Sequence, residues 1–316
     1  MCITTKKWKL PVLFPENRQK TCMLYYVCYN RGNCSGRQEE SRPRENERGS
    51  YIMIDITYAK QQFQKYLEAY DRSDDRIQLK AVHTAQAGKA ADVICSEEGM
   101  TEEDHQLALL IALLHDIGRF EQLKQFHSFD DRLFDHAVFG VKVLFEDGRI
   151  SDFIKDRSYD EVIRKAILYH SCFSLEEAGE LTPKERLHCQ IIRDADKLDN
   201  FRVKDTEKIE TLFGVREDVV AMEEISPHIL ETVRVRKCVR SSERVTHMDF
   251  WVSYLAFIFD LNFPASFRWI ERQNYMNRNI DRMAYKNPKT KQDMEEIRQI
   301  CNDYIKERMV LTKEER

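Results

Sequence analysis

The chain has 316 residues, 42% hydrophobic and 33% charged, with a formal net charge of −4. The length admits one large domain or about two, the apolar share can fill a real core, and the near-neutral charge gives no electrostatic case for a nucleic-acid polymer or an anionic membrane as partner. Ten Gly and seven Pro favour helices over turn-rich sheet, and no stretch reaches the roughly 18 apolar residues of a membrane span.

Residues 1–52 show no stable period, and SGRQEESRPRENERGS (35–50) is polar and mixed in charge. Such a composition is that of a disordered tail. An alternative start at Met53, with ERGS before it encoding a bacterial ribosome-binding site, would make the tail non-native. The first residues lack the apolar run of a secretory signal, so a cytoplasmic protein is expected. Nine cysteines, at 2, 22, 28, 34, 95, 172, 189, 238 and 301, contain no CxxC pair. They read as reduced thiols; Cys28 and Cys34 would be half of a zinc site with no second half nearby.

From residue 53 onward helix follows helix. Asp55 or Thr57 can cap the helix of YAKQQFQKYLEAY. Further helices are expected at 75–97, at 101–117 behind a Thr101–Asp104 capping box, at 130–147 and at 159–170. Another opens at Pro183, and later ones cover 226–239, 250–261, 265–282 and 290–308. No period-two strand and no internal repeat emerges. The expected fold is an all-α bundle, with one compact unit over 53–205 and a helical extension over 206–316.

The chemistry lies on the inward faces. Leu107 to Leu114 is apolar without a break and leads directly into His115 and Asp116. Helical spacing puts His83 with Leu79, Val82, Ala87 and Ala90, His136 with Leu133, Ala137, Gly140 and Leu144, His170 with Ile163, Ala166 and Ile167, and Asp196 with Ile192 and near Leu198 and Asp199. Each buried polar group costs a few kcal/mol unless partnered, and an ionised carboxylate costs more. A shared divalent cation answers all six at once. Imidazole with carboxylate suits Mn, Fe, Zn or Mg-type ions, and the absence of cysteine argues against a soft structural zinc site.

These residues carry a resemblance. His83, then His115–Asp116 within HDIG, then Asp196 within RDADKLDN follow the H…HD…D pattern of the HD-domain phosphohydrolase superfamily, over roughly residues 75–205. HAVFG (136–140) and LYHS (168–171) resemble the extra histidine elements of two-metal members. The resemblance implies an HD-domain helical bundle that holds two divalent ions (Mn, Fe, Mg, Ni or Zn). His83, His115, Asp116 and Asp196 would hold the first, His136 and His170 the second, with Asp116 bridging. It implies a metal-dependent phosphohydrolase in which a hydroxide shared by the ions attacks a phosphoester of a nucleotide or other small phosphorylated substrate. Two departures narrow it. SCFSLEEAGE follows His170 where cyclic-dinucleotide phosphodiesterases of the HD-GYP type carry Gly-Tyr-Pro, and Ile117, Gly118, Arg119 and Phe120 stand where alarmone hydrolases carry Glu-Asp. A diadenosine-tetraphosphate hydrolase family has a similar layout of ligands. A di-iron oxygenase of the HD fold, or a metal- or nucleotide-binding regulatory protein without turnover, shares the same ligand types.

Around that set, Arg119 is a candidate to grip a phosphate oxygen with its forked donors, against a solvated helix end. Lys197 and Arg202 are weaker candidates for the same task, and His127, in a linker after the HD helix, is a candidate proton donor. Asp199 is placed to orient a ligand from behind, and Asp194 to face water. The run FWVSYLAFIFDLNFPASF (250–267) reads mainly as core, with a wall for stacking a base as the other reading. The C-terminal helices leave a surface for a homodimer.

Overall fold

The computed structural model describes residues 54–129, 131 and 134–310; the readings of the first 52 residues, the start at Met53 and the Cys28–Cys34 pair lie outside them. Twelve helices form the body: α1 (Ile56–Leu67), α2 (Asp75–Glu97), α3 (Glu102–Leu114), α4 (Ile117–Phe126), α5 (His136–Val141), α6 (Asp160–Tyr169), α7 (Pro183–Thr206), α8 (Pro227–Arg234), α9 (His247–Leu255), α10 (Pro264–Gln273), α11 (Tyr275–Asp281) and α12 (Pro288–Met309). Shorter helical turns at Ile150–Phe153, Ile209–Phe213 and Glu217–Val220 connect them. The fold is all-α, as expected, with no strand among the described residues. No described helix is long and apolar enough to cross a membrane.

Local chemistry explains where the helices start. Asp55 caps α1 by accepting from the Tyr58 amide, so of the two candidates it is the cap. Thr101 caps α3 through the Asp104 amide, but the reciprocal half of the box is replaced: the Thr101 hydroxyl donates to the Asp104 carboxylate. At α7, Thr182 and Glu185 form a full capping box with Pro183 in the first turn. α2, α3 and α7 pack against one another at the centre, with α6 closing on α7, and Ile94, Leu110, Ile111, Leu114, Ile167 and Leu198 lie in one continuous apolar core.

Several boundaries differ from expectation, each for a visible reason. The helix expected over 101–117 stops at Leu114, and a new one begins at Ile117 across the region read as a linker. The break sits at Asp116, whose φ of −103° and ψ of 15° lie in the bridge region. The helix expected from 130 starts only at His136, because Asp135 caps it by accepting from the Ala137 and Val138 amides. The segment expected over 265–282 is two helices, split where Asn274 takes a positive φ of 53°.

Asp194 does not face water; it is wholly buried. Its carboxylate accepts from the Asn262 amide and side chain, the Phe263 amide and the Ser266 hydroxyl. Glu98 accepts from the Ala265 amide in the same turn. Phe263, the N-cap of α10, supplies no side-chain cap, so carboxylates from α2 and α7 satisfy the open amides of α10 and pin the extension to the central helices. Burial raises the Asp194 pKa to about 6, leaving it ionised at neutral pH.

Gly118 sits where two helix backbones approach most closely among the described glycines. A Cβ there would lie 2.2 Å from the His136 carbonyl oxygen and 2.5 Å from the Gly140 amide nitrogen, both backbone atoms that cannot turn aside. The first turn of α4 therefore lies directly on α5. Gly118→Ala is expected to cost about 2 kcal/mol or more by forcing the two helices apart. Gly88→Ala, on α2 with open space around the added methyl, is expected to stabilise by about 0.5–1 kcal/mol. Denaturant melts of the two variants beside wild type check the contrast.

Candidate metal centre

The apolar second half of α3, Leu107 to Leu114, runs through the core and delivers His115 and Asp116 at its end, both buried. Asp116 occupies the N-cap position of α4, yet its side chain makes no capping bond. Its carboxylate turns instead into a space bounded by four imidazoles. His83 comes from α2, His136 from the first residue of α5, His170 from the end of α6, and all are buried. The close approach at Gly118 is what brings His136 to Asp116.

The geometry divides the four histidines into two pairs. The Nε2 atoms of His83 and His115 are 3.3 Å apart, and those of His136 and His170 are 3.0 Å apart. Asp116 Oδ2 lies 3.5 Å from His83 Nε2 and 3.6 Å from His115 Nε2. Asp116 Oδ1 lies 3.5 Å from His136 Nε2 and 3.8 Å from His170 Nε2. Each carboxylate oxygen thus serves one pair. Asp196, on α7, approaches only the first pair, with Oδ1 at 3.0 Å from His83 Nε2 and 3.9 Å from His115 Nε2. His83, His115 and Asp116 form one group able to hold a cation, and Asp116, His136 and His170 form another.

Whether the site suits a metal is decided on the far side of each ring. His83 Nδ1 meets Asp199 Oδ2 at 2.6 Å, and His136 Nδ1 meets Asp131 Oδ1 at 2.8 Å. His115 Nδ1 faces the Ala112 carbonyl at 2.8 Å, and His170 Nδ1 the Ile167 carbonyl at 2.7 Å. Every Nδ1 has a pure acceptor opposite it and so carries a proton as donor. In its neutral form each ring then has its Nε2 lone pair aimed inward, the arrangement in which acceptors behind the rings orient metal ligands; His83 Nε2 alone meets a carboxylate closely, Asp196 Oδ1 at 3.0 Å. Lone pairs facing one another in an apolar core are unfavourable without a cation between them. The donor set fits two divalent ions.

Electrostatics agree. Burial drives the His115 pKa down, and burial with the His136 and His115 rings beside it takes His170 to about 3, so both favour the neutral, ligating form. Burial works to raise Asp116, but the Lys80 ammonium and the imidazoles hold it well below the carboxylate range. Asp196 is likewise lowered against burial by its bond to His83 and by the field of the rings. His83 is the exception. Burial and Lys80 resist its charge, but Asp196 and Asp199 outweigh them and raise its pKa.

The other candidates fall at different distances. Arg119 grips Asp131 with both Nη atoms, at 2.7 and 2.9 Å, and also reaches Gln122 and the Phe129 carbonyl. Only its Nε, 3.8 Å from Asp116 Oδ1, points toward the cluster. Arg202 holds Asp199, which holds His83. Lys197 turns away to Asp260, 2.8 Å distant. His127 is exposed, in a left-handed conformation at the end of α4, with its carbonyl bonded to Arg76. In the aromatic run, Trp251, Ile258 and Phe263 are buried, while Phe250, Tyr254 and Phe257 are half-buried.

Two functional residues escaped the sequence reading. Lys80 Nζ lies 2.6 Å from Asp116 Oδ2, and its position one helical turn before His83 was the available signal. Asp131 joins Arg119 to His136, and only its place shortly before HAVFG hinted at it.

Residues 81–200 match the family model of the HD domain. The chain carries an HD domain over those residues, which include all six clustered histidines and aspartates. No curated protein and no solved structure matches the chain.

The pKa shifts give a pH test on protein stripped of metal by a chelator. His115 and His170 have folded values below the ordinary 6.5. Their contribution is present above about pH 6.5 and is lost as pH falls toward 3, because the unfolded chain takes up protons that the folded chain refuses. His83, with its raised value, works oppositely; the carboxylates, lowered from 3.8, lose their contribution only below about pH 4. His188, also lowered, joins the first two, and Asp194, raised to about 6, joins His83; with three lowered histidines against these two, Tm is expected to fall between pH 7.5 and 5. Added Mn(II) is expected to raise Tm at pH 7.5 and to lose that effect by pH 5, since ligands must be deprotonated to bind.

Proposed function

We propose that this chain is a metal-dependent phosphohydrolase that cleaves a phosphoester in a nucleotide or another small phosphorylated metabolite, with two divalent ions held in its HD domain. The observation that carries the reading is the carboxylate of Asp116, one oxygen toward each histidine pair. His83, His115, Asp116 and Asp196 hold the first ion in this reading, and Asp116, His136 and His170 the second. When bound, two such ions supply Lewis acidity and an activated water at neutral pH.

The protein's own groups account for the rest. Asp196 is the most accessible of the six candidate ligands, with 19% of its side chain exposed, and Lys80, bonded to Asp116, has 18% exposed. Substrate would reach the cluster past these partly exposed groups. Lys80 is the cation nearest Asp116 and can take a phosphate oxygen, favouring charge that develops there during bond cleavage. Arg119 acts through Asp131 to hold the His136 ring, and Arg202 acts through Asp199 to hold His83.

The test is hydrolysis of a p-nitrophenyl phosphomonoester and phosphodiester panel, then of nucleotides, by untagged protein loaded with Mn, Fe, Mg, Ni or Zn. Ester cleavage is expected with at least one metal. Asp116→Ala is expected to lose both ions and fall to background, and Lys80→Ala to keep both ions and lower kcat/KM about tenfold, a loss near 1.4 kcal/mol of transition-state stabilisation. Two bound irons with oxygen consumption and no ester cleavage would replace the hydrolase reading with the oxygenase one.

A further inference from the structure

Arg193 is buried to 1% exposure and lies one turn before Asp196 on α7. Its Nη1 donates to the carbonyls of Tyr169, at 2.9 Å, and Cys172, at 2.7 Å, and comes within 3.4 Å of the His170 carbonyl. Its Nη2 reaches the Phe173 carbonyl at 3.4 Å and bonds Asp260 Oδ2 at 2.6 Å. One guanidinium thus gathers the backbone of residues 169–173.

Those carbonyls lie at and just beyond the end of α6, where a helix leaves its last acceptors open. His170 is the C-cap residue there, and no glycine or left-handed residue closes the turn. Arg193 does the closing. The direction of the His170 ring, whose Nδ1 is tied to Ile167 in that same last turn, therefore depends on where the guanidinium sits.

A buried guanidinium is itself costly without a counter-charge. Asp260 supplies it and also takes Lys197 Nζ. Asp260 lies in the 3₁₀ turn Ala256–Asp260 of the extension, outside the 81–200 match to the HD domain.

We infer that Arg193 and Asp260 are positioning residues for His170, so that the C-terminal extension completes the second ion's half of the centre. The inference rests on the two-ion reading above. Neither residue touches an ion or substrate; both act through the backbone of 169–173. The fork of Arg193 matters as well as its charge, because four carbonyls and a carboxylate must be met from one plane.

The test is Mn(II) binding by equilibrium dialysis on the full chain, with Tm measured in parallel, for wild type, Arg193→Lys, Asp260→Asn and Leu230→Ala. The last is a control: a buried core residue of α8 in the extension, remote from the clasp in sequence, that should lower stability generally. Wild type is expected to bind two ions. Arg193→Lys and Asp260→Asn are expected to keep the first at near wild-type affinity and to bind the second 10–100-fold more weakly, while Leu230→Ala keeps both. Asp260 is partly exposed, so Asp260→Asn decides the matter if Arg193→Lys fails to fold. Unchanged binding of both ions in a folded variant, or parallel loss of both, overturns the inference and leaves the two-ion reading standing. A single ion in wild type defeats that reading and the inference with it.

Discussion

Four buried imidazoles with their Nε2 atoms turned inward and two carboxylates converge between helices. Lys80 offsets part of the carboxylate charge at Asp116, but the ring nitrogens still oppose one another at 3.0 and 3.3 Å, which is unfavourable without a cation between them. Much of the architecture serves to hold this cluster in place. The break between α3 and α4 turns Asp116 inward, and Gly118, by lacking a side chain, lets α5 bring His136 against it. A carboxylate or a backbone carbonyl then fixes the far nitrogen of every ring.

Support extends outward in two kinds. His83 and His136 are each backed by a carboxylate that an arginine holds, Asp199 by Arg202 and Asp131 by Arg119. His115 and His170 are backed by carbonyls of their own helices, so their aim depends on how α3 and α6 end. For α6 the end is closed by Arg193 with Asp260 from the extension. The extension is fastened to the same helices by Asp194 and Glu98 through the open amides of α10. Packing in the C-terminal third is in this way linked to the placement of one metal-ligand candidate.

The sequence carried the helical class because capping residues and apolar spacing are local signals. Thr182, Pro183 and Glu185 specify the start of α7 within four residues, and α7 starts there. The break at Asp116 was hidden, because the apolar run before it continues helical spacing through Ile117 and only tertiary demand for the carboxylate interrupts it. His83, His115, His136, His170 and Asp196 could be placed on inward faces, and the structure brings all of them around Asp116. Lys80 and Asp131 could not, since a lysine on a helix and an aspartate before a cap have ordinary surface explanations. Asp194 misled for the same reason: its partners lie about 70 residues further along the chain, and a single charged residue gives no sign of them.

The most direct test of the account is anomalous X-ray scattering from crystals of the Mn(II)-loaded protein. The account expects two manganese peaks about 3.5–4 Å apart, with one oxygen of Asp116 on each, His83, His115 and Asp196 on one ion, and His136 and His170 on the other. A single peak, or two peaks of which Asp116 touches only one, would contradict it.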